Sequence, residues 1–120
     1  MNIYESAEDY LERILILSKK FDHVRSIDVV NDMGFSKPSI SIAMKKLKES
    51  GYILVDEHGY LTLTDSGRKI AVKTYEKHKV LSDLFEKLGV PEDIAIKDAC
   101  KIEHDLSDET FKAIKKYLSK

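Results

Sequence analysis

Disulfide partners, excess charge, long apolar runs and internal repeats are all missing from this chain, and each absence narrows what it can be. One cysteine, Cys100, excludes an internal disulfide and fits a reducing compartment. The 20 basic and 21 acidic residues leave a net charge of −1. Such a chain cannot coat a nucleic acid through bulk charge, so any DNA affinity must come from a local patch. No apolar run approaches the roughly 20 residues of a membrane span. Residues 1–6 carry neither the basic start nor the apolar centre of a signal peptide. A cytoplasmic protein without membrane contact is expected. No repeat or low-complexity stretch is found. What remains is a 120-residue chain that is 42% apolar and 34% charged, enough for a packed core in a helix-rich soluble protein.

Apolar spacing divides the chain into helices and one hairpin. Residues 5–20 predict a first helix whose core stripe is Tyr10, Leu11, Ile14, Leu15 and Leu17. Asp9 and Glu12 lie three apart on another face, beside Ile16, so that face should also meet protein. Ser26 is expected to cap a short second helix that Gly34 ends. Ser36 then caps a third helix, with Pro38 in its first turn and Ile40, Ala43, Met44 and Leu47 buried, and Gly51 closes it. Residues 52–56 and 60–64 read as strands around Glu57, His58 and Gly59. Thr64 opens a long helix to about residue 88, with a late seam of Leu81, Leu84, Phe85 and Leu88. Pro91 starts a further helix and Ser107 opens a last one, with Phe111, Ile114 and Leu118 inward.

Helix, tight turn, helix and hairpin, in that order, make a winged helix-turn-helix. The expected fold is mainly α. Residues 1–70 form a winged helix-turn-helix DNA-binding domain of three helices plus a β-hairpin wing. Residues 71–120 form a helical dimerisation and metal-binding domain. That second part is too small to bury its apolar faces alone, so a homodimer is expected. Residues 36–50 hold four lysines, Lys37, Lys45, Lys46 and Lys48, against one acid, Glu49. This is +3 on one helix of a −1 chain. Small hydroxyls and free N–H groups at its start suit phosphates and base edges in the major groove. The candidate DNA contacts are Arg25, Ser36, Lys37, Pro38, Ser39, Ser41, Lys45, Lys46 and, at the wing tip, His58.

A different chemistry appears near the C-terminus. Residues 98–105 read as helix, so Cys100, Glu103 and His104 project from one face at offsets of three and four. A thiolate, a carboxylate and an imidazole converging on one spot form a ligand set for a first-row transition metal. His78 on the long helix and Asp9 and Glu12 on the first helix are the further candidates. His23 and His58 have no partners at ligand spacing and are read as loop residues. Asp9, Glu12, Glu103 and ionised Cys100 together carry four negative charges, which two divalent cations would balance. Without metal those charges repel, so metal would draw the first helix toward the C-terminal part and act as a switch.

The chain resembles the metal-dependent repressors of the diphtheria toxin repressor and manganese transport regulator family over essentially its whole length. The resemblance lies in residues 8–12, 36–41 and 61–67, in His78, and in residues 100–108. It implies a homodimer with an N-terminal winged helix and a C-terminal dimerisation and metal-binding domain. It also implies Fe²⁺- or Mn²⁺-activated repression of metal-uptake genes at a palindromic double-stranded operator, with up to two ions per subunit. Asp9, Glu12, His78, Glu103 and His104 match the binuclear site of the manganese branch, which has a glutamate where this chain has Cys100. The iron branch has the cysteine but a methionine at Asp9, and Ser82 and Ile96 stand where its second site needs a glutamate and a histidine. Oxygen ligands favour Mn²⁺, whereas a thiolate favours Fe²⁺, or Zn²⁺ and Co²⁺ in vitro. Ile42 replaces a base-reading glutamine of the iron branch, and the SH3-like domain of that branch is expected to be absent. No enzymatic activity is expected: Cys-x-x-Glu-His is similar to the His-x-x-Glu-His metalloprotease pattern, but no substrate cleft accompanies it. The competing reading is a winged-helix regulator whose operator binding is independent of metal.

Overall fold

The computed structural model describes the backbone of residues 3–120 and the side chains from residue 7. Met1 and Asn2, which begin the N-terminal run assessed for a signal peptide, lie outside the described residues. The chain divides into two compact units, one extending to Val72 and the other Lys73–Lys120. The boundary falls inside a long helix.

In the first unit, α1 (Ile3–Lys20) buries Leu11, Ile14, Leu15 and Leu17 on one stripe, while Tyr10 is only half-buried. The stripe packs against α2 (Ser26–Met33) and the sheet. α2 ends at Gly34, whose φ of 74° is the left-handed geometry that favours glycine. α3 (Lys37–Glu49) starts where the Ser36 hydroxyl accepts a hydrogen bond from the Ser39 N–H, and Pro38 falls in the first turn, where its missing N–H does no harm. Ile40, Met44 and Leu47 are its buried face. β2 (Ile53–Val55) and β3 (Tyr60–Leu63) form the antiparallel wing, pairing Ile53 with Leu63 and Val55 with Leu61.

Two expectations need correction here. Ser26 is the first helical residue of α2 and not its cap. The cap position is Arg25, in extended backbone, and its N–H is held by the Asp28 carboxylate at 2.8 Å. Arg25 is extended because it belongs to a short strand, β1 (Val24–Arg25), that pairs with β3 and gives the sheet the order β1-β3-β2. Two residues are too few to leave a period in the sequence.

α4 (Asp65–Lys87) is anchored at its start by Thr64. The Thr64 hydroxyl donates to the Gly51 carbonyl at 2.7 Å and accepts from the Gly67 N–H at 3.1 Å. At Gly67 the helix runs so close to Tyr52 that a Cβ would sit 2.0 Å from its carbonyl oxygen.

In the second unit, α5 (Glu92–Ile102) and α6 (Asp108–Leu118) follow the remainder of α4. Leu81, Ala95, Ala99 and Phe111 are buried, whereas Leu88, the last residue of the expected seam, is 72% exposed because it lies just past the helix end. The helix expected over residues 98–105 stops at Ile102. The Glu103 N–H still reaches the Ala99 carbonyl, but the Asp105 N–H bonds only to Ile102, which tightens residues 103–105 into a turn. The turn has a use: Glu103 and His104, about 100° apart on a regular helix, both place their side chains inside. No helix of the described residues is long and apolar enough to cross a membrane.

Candidate metal centre and nucleic-acid interface

The second unit brings four of the six expected ligands together. α4 supplies His78, α5 supplies Cys100, and the turn after α5 supplies Glu103 and His104. The Glu103 carboxylate is fully buried, and its two oxygens face two imidazoles. Oε2 lies 3.2 Å from His78 Nδ1, and Oε1 lies 3.6 Å from His104 Nε2. The Cys100 sulfur lies 3.5 Å from the same His78 nitrogen. The His104 side chain is only 3% exposed. Asp9 and Glu12 belong to the first unit, one helical turn apart on α1, with Glu12 buried.

A buried carboxylate beside a thiol needs a positive charge. As a cation, the His78 ring supplies it. Hydrogen bonding to Cys100, and then to Glu103, pushes the His78 pKa up to about 10 against the opposing effect of burial. A divalent cation is the stronger alternative. Two donors on one ion at bond lengths of about 2.0–2.3 Å stand roughly 3–4 Å apart, and the observed separations of 3.2, 3.5 and 3.6 Å fall in that range. Sulfur, two imidazole nitrogens and carboxylate oxygen are also the donor types of Fe²⁺, Zn²⁺ and Co²⁺ sites. The residues present therefore fit a transition-metal ion.

Ser82, one turn beyond His78, is buried with no hydrogen-bond partner for its hydroxyl among the described residues, and Ile96 is exposed. The turn that carries Glu103 and His104 is pinned by Lys77, a residue that sequence reasoning missed. Its ammonium donates to the Leu106 carbonyl at 3.2 Å, lies 3.5 Å from Asp108, and sits over the Phe111 ring. Lys73 grips the same Asp108 at 2.9 Å and holds its carboxyl below the usual carboxylate range. Lys77 lies 29 residues from Leu106 in sequence, so spacing gave no signal of the clamp.

The other candidate surface lies in the first unit. Lys37, Pro38, Ser39, Ser41, Lys45 and Lys46 are all exposed on α3. The Ser36 hydroxyl is engaged in capping and donates to the Ser39 hydroxyl at 2.8 Å. At the wing, one Asp56 oxygen accepts from the N–H groups of both Tyr60 and His58, which fixes the turn and holds the Asp56 carboxyl below its ordinary range. His58 lies at the tip, 3.6 Å from Glu57. Arg25, on β1, places its guanidinium 4.8 Å from the centre of the Tyr60 ring and donates to the Tyr60 hydroxyl at 3.3 Å. His23 stacks on the same ring at 4.3 Å with an 8° tilt between planes. His23 and Tyr60 are thus part of a cationic and aromatic cluster. The only cue in the sequence was the two-residue spacing of His23 and Arg25, which places both on one side of an extended segment.

Residues 2–63 match the iron dependent repressor N-terminal DNA binding domain, and residues 64–120 match the iron dependent repressor metal binding and dimerisation domain. This chain belongs to the iron-dependent repressor family, a family of DNA-binding transcriptional regulators and not of enzymes. An uncharacterised HTH-type transcriptional regulator of Methanocaldococcus jannaschii is 34% identical over 118 residues, covering 97% of this chain and 94% of the relative. The transcriptional regulator MntR of Escherichia coli is 31% identical over 116 residues, covering 97% of this chain and 75% of the relative. Among solved structures, a manganese-dependent transcriptional repressor in complex with manganese is similar with a TM-score of 0.84 and 32% identity, covering 94% of this chain and 52% of that one. The metal-dependent transcriptional regulator MtsR is similar with a TM-score of 0.86 and 27% identity, covering 94% and 53%. This chain spans about half the length of those two structures.

Proposed function

We propose that this regulator is a repressor of iron or manganese homeostasis that binds a palindromic operator as a homodimer once a divalent cation is bound. The observation that carries the proposal is the buried convergence of Cys100, Glu103, His78 and His104 at 3.2–3.6 Å. In this reading those four residues ligate the ion, and Asp9 and Glu12 of α1 complete the ligand set, as the donor types and the family resemblance imply. A bound cation supplies the positive charge that allows several anionic side chains to share one site. His78 must release its proton to ligate, and a ligating thiol is a thiolate, so affinity for metal rises with pH. Lys77 ties the segment just after the Glu103–His104 turn to α4. On the DNA side, α3 reads the major groove, while Arg25 and His58 bear on phosphates beside it.

Carboxylate ligands favour Mn²⁺ and Cys100 favours softer ions, so this site is a hybrid, and Cys100 decides its preference. The test is a titration of operator affinity against Mn²⁺, anaerobic Fe²⁺ and Zn²⁺, repeated with Cys100→Glu. The expected result is a shift of the response toward Mn²⁺ in the variant. Unchanged metal preference would remove Cys100 from the ligand set, and operator binding indifferent to a chelator would remove metal control altogether.

A further inference from the structure

The recognition helix carries one feature that phosphate binding does not use. Ile42 is 58% exposed. At 100° per residue it stands about 170° around the helix from the centre of the stripe formed by Ile40, Met44 and Leu47. Two exposed side chains are therefore aimed almost directly away from the core, a bare aliphatic one and, two turns further on, the acid Glu49. Exposed Pro38, Ser41, Lys45 and Lys46 surround the isoleucine. The polar and cationic neighbours serve the sugar-phosphate walls of a groove, and the side chain between them meets its floor. An isoleucine has no hydrogen bond to offer a base. The one apolar group on the major-groove floor of B-DNA is the 5-methyl of thymine.

We propose that Ile42 reads a thymine methyl in each half-site of the operator. The inference rests on the DNA-binding reading above and specifies what α3 recognises there. A cavity of about 540 Å³ beside α3 is lined by Ile42 together with Tyr10 and Tyr52. With more than half of its surface exposed, Ile42 is not consumed in packing within its own unit.

The experiment uses the full chain loaded with Mn²⁺ or Fe²⁺. Duplexes enriched from a random pool by the wild-type protein are resynthesised with each thymine replaced in turn by deoxyuridine, which deletes the methyl and leaves every hydrogen-bonding group in place. The expected result is one position per half-site at which wild type loses about fourfold in affinity, the factor that burial of one methyl-sized group supplies, whereas Ile42→Ala loses nothing. Ile42 is exposed and alanine is the better helix former, so that variant keeps its fold. A second variant, Ile42→Gln, should enrich adenine at the same position, because an amide pairs with the adenine edge. If wild type binds its enriched duplexes but no thymine responds to loss of its methyl, the inference fails while the DNA-binding reading stands. It also fails if Ile42→Ala retains the same response, and Ile42 would then serve a protein partner. If no sequence is enriched at any metal concentration, the DNA-binding reading itself falls.

Discussion

His78 is where the chemistry of a single residue is most exposed to test. Its pKa is raised to about 10 from an ordinary 6.5 by Cys100 and Glu103. The folded chain therefore holds a proton that the unfolded chain has released between those two values. The stability this contributes is complete below pH 6.5 and is lost as pH rises toward 10. Thermal melting of chelator-treated protein should give a midpoint that declines across that interval, and His78→Gln should flatten the decline. A wild-type midpoint that stays level would mean that the imidazolium is not paired as described. If His78 ligates the metal as proposed, the same proton is displaced, so proton release on titration with Mn²⁺ should diminish in the variant. The convergence of Cys100, Glu103 and His104 was legible in the sequence because offsets of three and four on a helix share one face. Lys77 was not legible, because its partner is a backbone carbonyl 29 residues away and such a carbonyl has no signature.

Among the elements, those that terminate in specific chemistry could be read in advance. Ser36 with Pro38 opens α3, Thr64 opens α4 and Ser107 opens α6, because each hydroxyl satisfies a free N–H that any helix start must satisfy. The short β1 and the stop of α5 at Ile102 could not be read: β1 is set by partners distant in sequence, Tyr60 and Leu61, and the turn after Ile102 carries Glu103, whose imidazole neighbour His78 is likewise distant. The contact of Gly67 with Tyr52 was hidden for the same reason. Gly67→Ala ordinarily strengthens a helix, but here the added methyl would overlap a backbone oxygen. It should therefore destabilise the first unit by about 1–3 kcal/mol, measurable by denaturant unfolding. The wing makes a separate prediction. If Arg25 is a phosphate contact oriented by Tyr60, Arg25→Gln should lower the slope of log affinity against log salt by about one. Tyr60→Ala and His23→Ala should produce part of the same change without touching the base preference of α3. An unaltered salt slope in all three variants would exclude the cluster from the interface.

At the scale of the whole molecule, the family pairs a DNA-binding domain with a metal-binding and dimerisation domain, and the proposed function joins the two activities by linkage. A hundredfold gain in operator affinity on metal binding corresponds to about 2.7 kcal/mol of coupling. By reciprocity, saturating operator must tighten metal binding by the same hundredfold, and calorimetric metal titrations with and without operator should agree with gel-shift titrations on that factor. Leu88 and Tyr117 are 72% and 71% exposed in the second unit, and under the proposed homodimer they are apolar surface available to a second copy. Sedimentation should therefore report a dimer at micromolar concentration that Tyr117→Lys weakens.

The charges of α3 have a further consequence. Residues 36–50 hold four cations and one anion, which is +3, so a chain of net −1 carries −4 elsewhere. To the extent that those opposite totals lie apart, the protein is an electric dipole with almost no monopole. In the field of a duplex it experiences torque more than pull, and it is turned to present one helix before it arrives. At neutral pH the same separation of charge should let it adhere to both heparin and an anion-exchange resin, each holding it by a different side.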